Sequence, residues 1–278
     1  MDIPKHWRKV VEDVRAPDGR QLRLKAWGWS SESEGAAQDR ANQRLRRLVD
    51  RIRNREPLPS RYEYGSRPIR EEVLEEFRDS KGAVKAALTR NTYGARVLNA
   101  DRLLFIDVDL NRPGLLSRLK RRLTGDKSDP ALDRLRATLQ RFAPVTFRVY
   151  RTAAGLRGMS VSHTFAPDGP EAQDILRETG SDPAFVHLCQ LQQSFRARLT
   201  PKFWRCGVRG GPPPYPRDDS KSRDEFSSWL REYEDRARSF ATCAYLETVG
   251  TQTVHADNIN LLRLHDQETR ALEPLKLA

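Results

Sequence analysis

Long apolar runs are missing from this 278-residue chain. No stretch approaches the roughly 18 apolar residues that a membrane-crossing helix requires, so no membrane partner is expected. The first residues (Met1, Asp2, Ile3, Pro4, Lys5, His6 and Trp7) carry no apolar segment of the kind found in a secretion signal. Cysteine is scarce as well. Cys189, Cys206 and Cys243 are odd in number and include no CxxC pair. That argues against a disulfide framework and for reduced thiols in a cytoplasmic protein. A Cys₃His zinc site built from these thiols and His187 lacks the close pair that structural zinc sites use, so buried free thiols are the expectation. Internal repeats are absent, and an excess of acid is absent too. Fifty Lys and Arg stand against 38 Asp and Glu, giving a formal charge of +12. Such a balance favours polyanionic partners, nucleic acid or nucleotides first among them.

What is present is a foldable α+β pattern. Hydrophobic residues make up 37 % and charged residues 32 %, enough for a core beneath a densely charged surface. Residues 21–27 alternate apolar and polar, the period of a half-buried strand. Ser30, Ser31 and Ser33 then supply helix caps, and Ala41, Leu45, Leu48 and Ile52 form one helical stripe running to about Arg55. A short strand is predicted at 62–65 and a helix at 69–77. Residues 83–89, 95–98 and 103–110 read as three successive strands. Helical patterns follow at 115–123 and 131–142, then strands at 147–152 and 159–163 around the Ala153-Ala154-Gly155 turn. Helices are expected at 171–178, 183–195, 224–241 and 259–270, with a strand at 244–249. The expected architecture is a mixed or antiparallel sheet with helices on one face. Residues 1–80 would form a strand–helix region packed on an 81–278 core. The Gly/Pro-rich loop at 210–217 is either a rigid connection or a docking point for a protein partner.

The chemistry concentrates where Leu103, Leu104, Phe105 and Ile106 run into Asp107-Val108-Asp109. Residues two apart on a strand share a face, so both carboxylates point one way. Two carboxylates that close repel, and a bridging Mg²⁺ or Mn²⁺ relieves the repulsion through hard oxygen ligands. The competing reading makes one Asp a turn residue before Asn111, Arg112 and Pro113, and the other a helix cap. Arg118, Arg121 and Arg122 follow at helical spacing and could guide a nucleic-acid strand, or simply face solvent.

A second constellation runs from Arg148 through the small-residue turn to Arg157, Ser160, Ser162 and His163. Small residues let a ligand approach the backbone. Arg148, Arg157 and His163 are candidate phosphate binders and Ser162 a candidate donor; a plain hairpin with polar ends is the alternative. Trp27-Gly28-Trp29 and Phe203-Trp204-Arg205 carry aromatics able to stack on bases, with core packing the default. His265 and Asp266 form a lone His-Asp pair without the further ligands of an HD-type phosphohydrolase, and are expected on the exposed side of the last helix.

A strand ending in DxD, a helix, a strand–turn–strand with Ser-x-His, and a later strand with one acid resembles the archaeo-eukaryotic primase–polymerase superfamily. The matching residues are Asp107 and Asp109, Ser160 or Ser162 with His163, and Glu247 in the segment Ala244, Tyr245, Leu246, Glu247. The resemblance spans about residues 95–250. It implies an RRM-like core in which the acidic residues hold metal, and His163 and the arginines hold nucleotide phosphates. Arg157 stands near the Gly turn where the family's histidine would be expected, a departure that bears on activity. Two other enzyme classes use a strand-end DxD. A glycosyltransferase would need a nucleotide fold in the Arg-rich first 80 residues, and a haloacid-dehalogenase-type phosphatase would need Thr or Gly where Asn111 and Arg112 stand. A non-catalytic nucleic-acid-binding or complex-assembly protein is the remaining alternative.

Overall fold

A computed structural model describes residues 1, 3–57, 68–110 and 129–278. The predicted strand at 62–65, the predicted helix at 115–123, and Arg118, Arg121 and Arg122 lie outside the described residues. The chain is a mixed α+β protein with antiparallel sheets, as the residue periodicities predicted. No described helix is long and apolar enough to cross a membrane.

The first unit is a hairpin of β1 (His6–Arg15) and β2 (Gln21–Ser30), paired antiparallel from His6↔Ser30 to Arg15↔Gln21. Helix α1 (Glu34–Arg53) packs on one of its faces, capped by the Ser33 hydroxyl, which accepts from the Ala36 amide at 3.1 Å. Leu45, Val49 and Ile52 of the helix meet Val14, Leu24 and Ala26 of the hairpin in a small core of their own. Gly28 makes that close approach possible: a Cβ there would stand 2.0 Å from the Ala37 carbonyl oxygen. Along the outer edge of β2, Arg40 and Arg44 donate to the carbonyls of Trp29 and Trp27, each at 2.9 Å.

Two four-stranded antiparallel sheets build the rest. One has the order β3 (Glu72–Arg78), β4 (Val84–Arg90), β5 (Arg96–Ala100), β9 (Phe195–Arg198). The other has the order β11 (Cys243–Val249), β7 (Phe147–Thr152), β8 (Gly155–Ser160), β6 (Phe105–Asp109). A short parallel pair, β10 (Phe240–Ala241) with β12 (Lys276–Leu277), closes the chain. Both four-stranded sheets feed one core, which includes Leu88, Leu98, Phe105, Ile106, Val149, Leu156 and Phe195.

Several expectations need correction. Residues 69–77 form strand β3 rather than a helix, because pairing with β4 outweighs their helix-forming Glu and Leu. Strand β1 is an addition to the predicted elements, and the helix predicted at 183–195 ends at Gln192, with β9 beginning at Phe195. Helices flank the second sheet on both faces instead of one. Helix α2 (Pro130–Gln140) reaches β11 through Arg136 and Glu247, 2.9 Å apart. On the opposite face α3 (Ala256–Thr269) meets β7 through Tyr150, whose hydroxyl donates to Asp266 at 2.8 Å. An RRM-like sheet would hold its first strand between the third and the fourth. Here the first strand, β6, is an edge, and the second, β7, takes the inner place.

Candidate functional site

The register of the second sheet sets the site. Tyr245, Tyr150, Arg157 and Asp107 stand opposite one another across four strands, so their side chains share one face. Asp109 is two residues beyond Asp107 on that face, opposite Gly155. A Cβ at Gly155 would lie 1.9 Å from the Val108 carbonyl oxygen, so glycine is what lets β8 reach the end of β6. Asp107 is half-buried and Asp109 exposed. Burial pushes the Asp107 carboxyl above the usual carboxylate range, against the opposing pull of Arg157 and Arg198. Among the described residues neither carboxylate accepts a hydrogen bond or forms an ion pair.

Strand β9, of the other sheet, also contacts β6 and brings the cations. Arg157 is buried and donates to the Arg198 carbonyl at 3.0 Å. The backbone after β9 is held rigidly. The Leu199 amide donates to the Arg96 carbonyl at 2.8 Å, the Thr242 hydroxyl to the Leu199 carbonyl at 2.8 Å, and the Tyr233 hydroxyl to the Pro201 carbonyl at 2.6 Å. This places Arg198 and Lys202 beside the carboxylate pair, with Arg205 adjoining both cations. Desolvation pulls Arg198 down to about 10, with the neighbouring Arg157 adding to the effect. Lys202 is lowered by burial and by Arg198 and Arg205, while Asp109 and Asp107 act in the other direction.

Behind this row lies a buried polar chain. Asp266 receives the Tyr150 hydroxyl at 2.8 Å, Arg148 at 3.0 Å and His265 Nδ1 at 3.0 Å. His265 Nε2 in turn stands 3.4 Å from Arg157. His265 is wholly buried and its pKa falls to about 4, so it is neutral near pH 7 and accepts from Arg157. The expectation that this pair faces solvent is therefore corrected: the His-Asp pair is a core element that braces Arg157.

The other predicted site residues stand apart. Glu247 lies on β11, with β7 and β8 between it and β6, about 14 Å at the usual strand spacing. Its carboxylate pairs with Arg136 at 2.9 Å, so the structure does not bring it to the aspartates as a third ligand. Ser162 and His163 follow the far end of β8 from Gly155. There Ser162 Oγ accepts from the Thr146 amide at 2.7 Å and contacts His163 Nδ1 at 2.7 Å, a structural role distant from Asp107. Arg148 is on the site's face but is engaged by Asp266 and stacked 4.3 Å over Tyr245. Arg157 alone of the predicted phosphate binders adjoins the Asp pair. Among the described residues no group of three or more His, Cys, Asp or Glu is placed to hold a metal ion. The three thiols are free, buried and separate, and burial raises Cys189 to about 12. The 210–217 loop is used internally, with the Tyr215 hydroxyl donating to the Lys5 carbonyl at 2.9 Å and Arg217 pairing with Glu72 at 3.0 Å.

Sequence reasoning missed Arg198 and Lys202, and named Arg205 only in a segment whose aromatics could stack on bases. The dense run Phe195, Arg196, Ala197, Arg198 alternates as a strand does, and that signal was available. Compared with family models, curated proteins and solved structures, the chain matches none.

Proposed function

We propose that this chain is a nucleotide-handling protein centred on Asp107 and Asp109, with nucleic acid as its wider partner. One observation carries the reading. Two carboxylates share a strand face, free of protein partners among the described residues, beside Arg157, Arg198 and Lys202. Asp107 and Asp109 offer the hard oxygen donors that Mg²⁺ or Mn²⁺ prefers, leaving positions open for water and substrate phosphate. A bound divalent ion would supply charge stabilisation for in-line displacement at phosphorus. The protein's own contribution is to fix the carboxylates on a rigid strand and to hold cations where phosphate charge accumulates. Nucleotidyl transfer is the catalytic form of this reading.

A second reading, binding without catalysis, has its own support. Glu247 and His163, which the primase–polymerase resemblance would recruit, stand away from the Asp pair. Titration with Mn²⁺, followed by melting temperature, tests the metal; primer extension with nucleoside triphosphates tests the reaction. Mn²⁺ is expected to raise the melting temperature of the wild type and to leave Asp109→Asn unchanged. An equal rise in both proteins rules out the metal at this pair. Metal binding without extension leaves the binding reading in place.

A further inference from the structure

Arg198, beside the aspartates, has a chemical demand of its own. Several arginines have a buried Nε without a partner, among them Arg90, Arg148, Arg198 and Arg217. Arg148 and Arg217 form ion pairs at 3.0 Å, and Arg90 donates to the Gly94 carbonyl at 2.9 Å. Among the described residues Arg198 has no hydrogen bond, ion pair or stacked ring for its guanidinium. A buried guanidinium nitrogen left without an acceptor is costly, and native structures complete such a group with protein, ordered water or a bound ion. Asp107 is near enough to act on Arg198 electrostatically but does not pair with it.

The neighbours reinforce the demand. Arg157 adjoins Arg198 through its carbonyl at 3.0 Å, and Arg205 and Lys202 both act on Arg198 or on each other as like charges. Arg157, Arg198, Lys202 and Arg205 thus cluster beside Asp107 and Asp109, the two carboxylates that act on Arg198 and Lys202, while Asp182 acts on Asp107. Next in the chain is Trp204, on the one-turn 3₁₀ segment Phe203–Arg205, and it is 48 % exposed. Lys202 Nζ sits 5.4 Å from its ring. Phe203 and Tyr93 touch that ring nearly perpendicularly, at 4.8 and 5.3 Å. Among the described residues no aromatic ring is stacked parallel on it. A large exposed indole beside a cluster of cations matches a ligand with a flat base at one end and phosphates at the other.

We propose that Arg198, Lys202 and Arg205 form a phosphate subsite and Trp204 a base platform, together binding a nucleoside di- or triphosphate. This rests on the nucleotide-handling reading, but the subsite needs no metal. Phosphate oxygens accept from the Arg198 guanidinium and the Lys202 ammonium, and Arg157 is held behind them by His265 and Asp266.

The test is titration in EDTA, read by melting temperature and isothermal calorimetry, with ADP, pyrophosphate and adenosine as probes. ADP and pyrophosphate are expected to bind the metal-free wild type, ADP more tightly and adenosine undetectably. Lys202→Ala should weaken both phosphate ligands about tenfold, the loss of one charge-assisted contact. Trp204→Ala should bring ADP down to the affinity of pyrophosphate. Asp107→Asn should keep or gain metal-free binding, because it removes negative charge beside the subsite. Arg198→Gln would test the central residue, and Lys202→Ala serves if that variant fails to fold. Two results overturn the subsite: no binding of ADP or pyrophosphate to the wild type in EDTA, or unchanged binding in Lys202→Ala. Either can occur while Mn²⁺ still stabilises the wild type through Asp109, which leaves the metal reading standing. Conversely, metal-free ADP binding with no Mn²⁺ effect keeps the subsite and removes the metal.

Discussion

At the scale of single residues, the balance at Asp107 is between desolvation, which disfavours its charge, and the arginines that favour it. Desolvation prevails, so the folded carboxyl titrates above its unfolded value. Folding is then favoured at low pH and loses stability as pH rises from the ordinary carboxylate range through the raised value. Asp107→Asn is expected to stabilise the protein at pH 7 by about 1 kcal/mol. The gain should vanish below the ordinary carboxylate range, as pH-dependent urea denaturation would show. His265 has the opposite sensitivity. Its pKa falls from 6.5 to about 4, so the unfolded chain takes up its proton first as pH drops. Stability is present above pH 6.5 and is lost between there and pH 4, by about 3 kcal/mol at most. Melting curves should fall over that window, and His265→Asn should flatten the fall while lowering stability throughout. The Asp pair was legible because an apolar run leads directly into it. The burial of His265 was not, since a His and an Asp in a mixed helix read equally well as its wet side.

At the scale of elements, the hairpin and α1 depend on two small features. The Ser33 cap is worth about 1 kcal/mol, and Ser33→Ala should lower stability by that amount. Gly28→Ala places a methyl group 2.3 Å from the Ala41 amide nitrogen, and the helix must shift to accept it. A loss of about 3 kcal/mol is expected, the upper end of overpacking costs, read by chemical denaturation. The hairpin's second strand and its helix were legible from their periods of two and 3.6. Strand β3 was not: Glu72, Leu74, Glu75 and Glu76 favour a helix locally, and only β4 supplies the pairing that overrides them. The same holds for β9. Phe195↔Ala100 and Arg198↔Val97 join residues about a hundred positions apart, so the cations around Asp107 come together only in the folded chain.

At the scale of the whole molecule, the +12 charge predicts nucleic-acid binding that weakens steeply with salt. Affinity for a single-stranded oligonucleotide should fall linearly in log–log terms as NaCl rises. A flat response would remove nucleic acid as the wider partner. The α+β class was visible in the sequence; the sheet order was not, because nothing in β6 itself states whether it is inner or edge. One further property follows from Arg40 and Arg44, which occupy the Trp29 and Trp27 carbonyls along β2. A bare strand margin is a template on which a second molecule can extend the sheet. Here two guanidinium groups fill that margin, so the hairpin ends the sheet instead of inviting continuation. The double substitution Arg40→Ala, Arg44→Ala would reopen it, and concentration-dependent self-association is the behaviour that would then emerge.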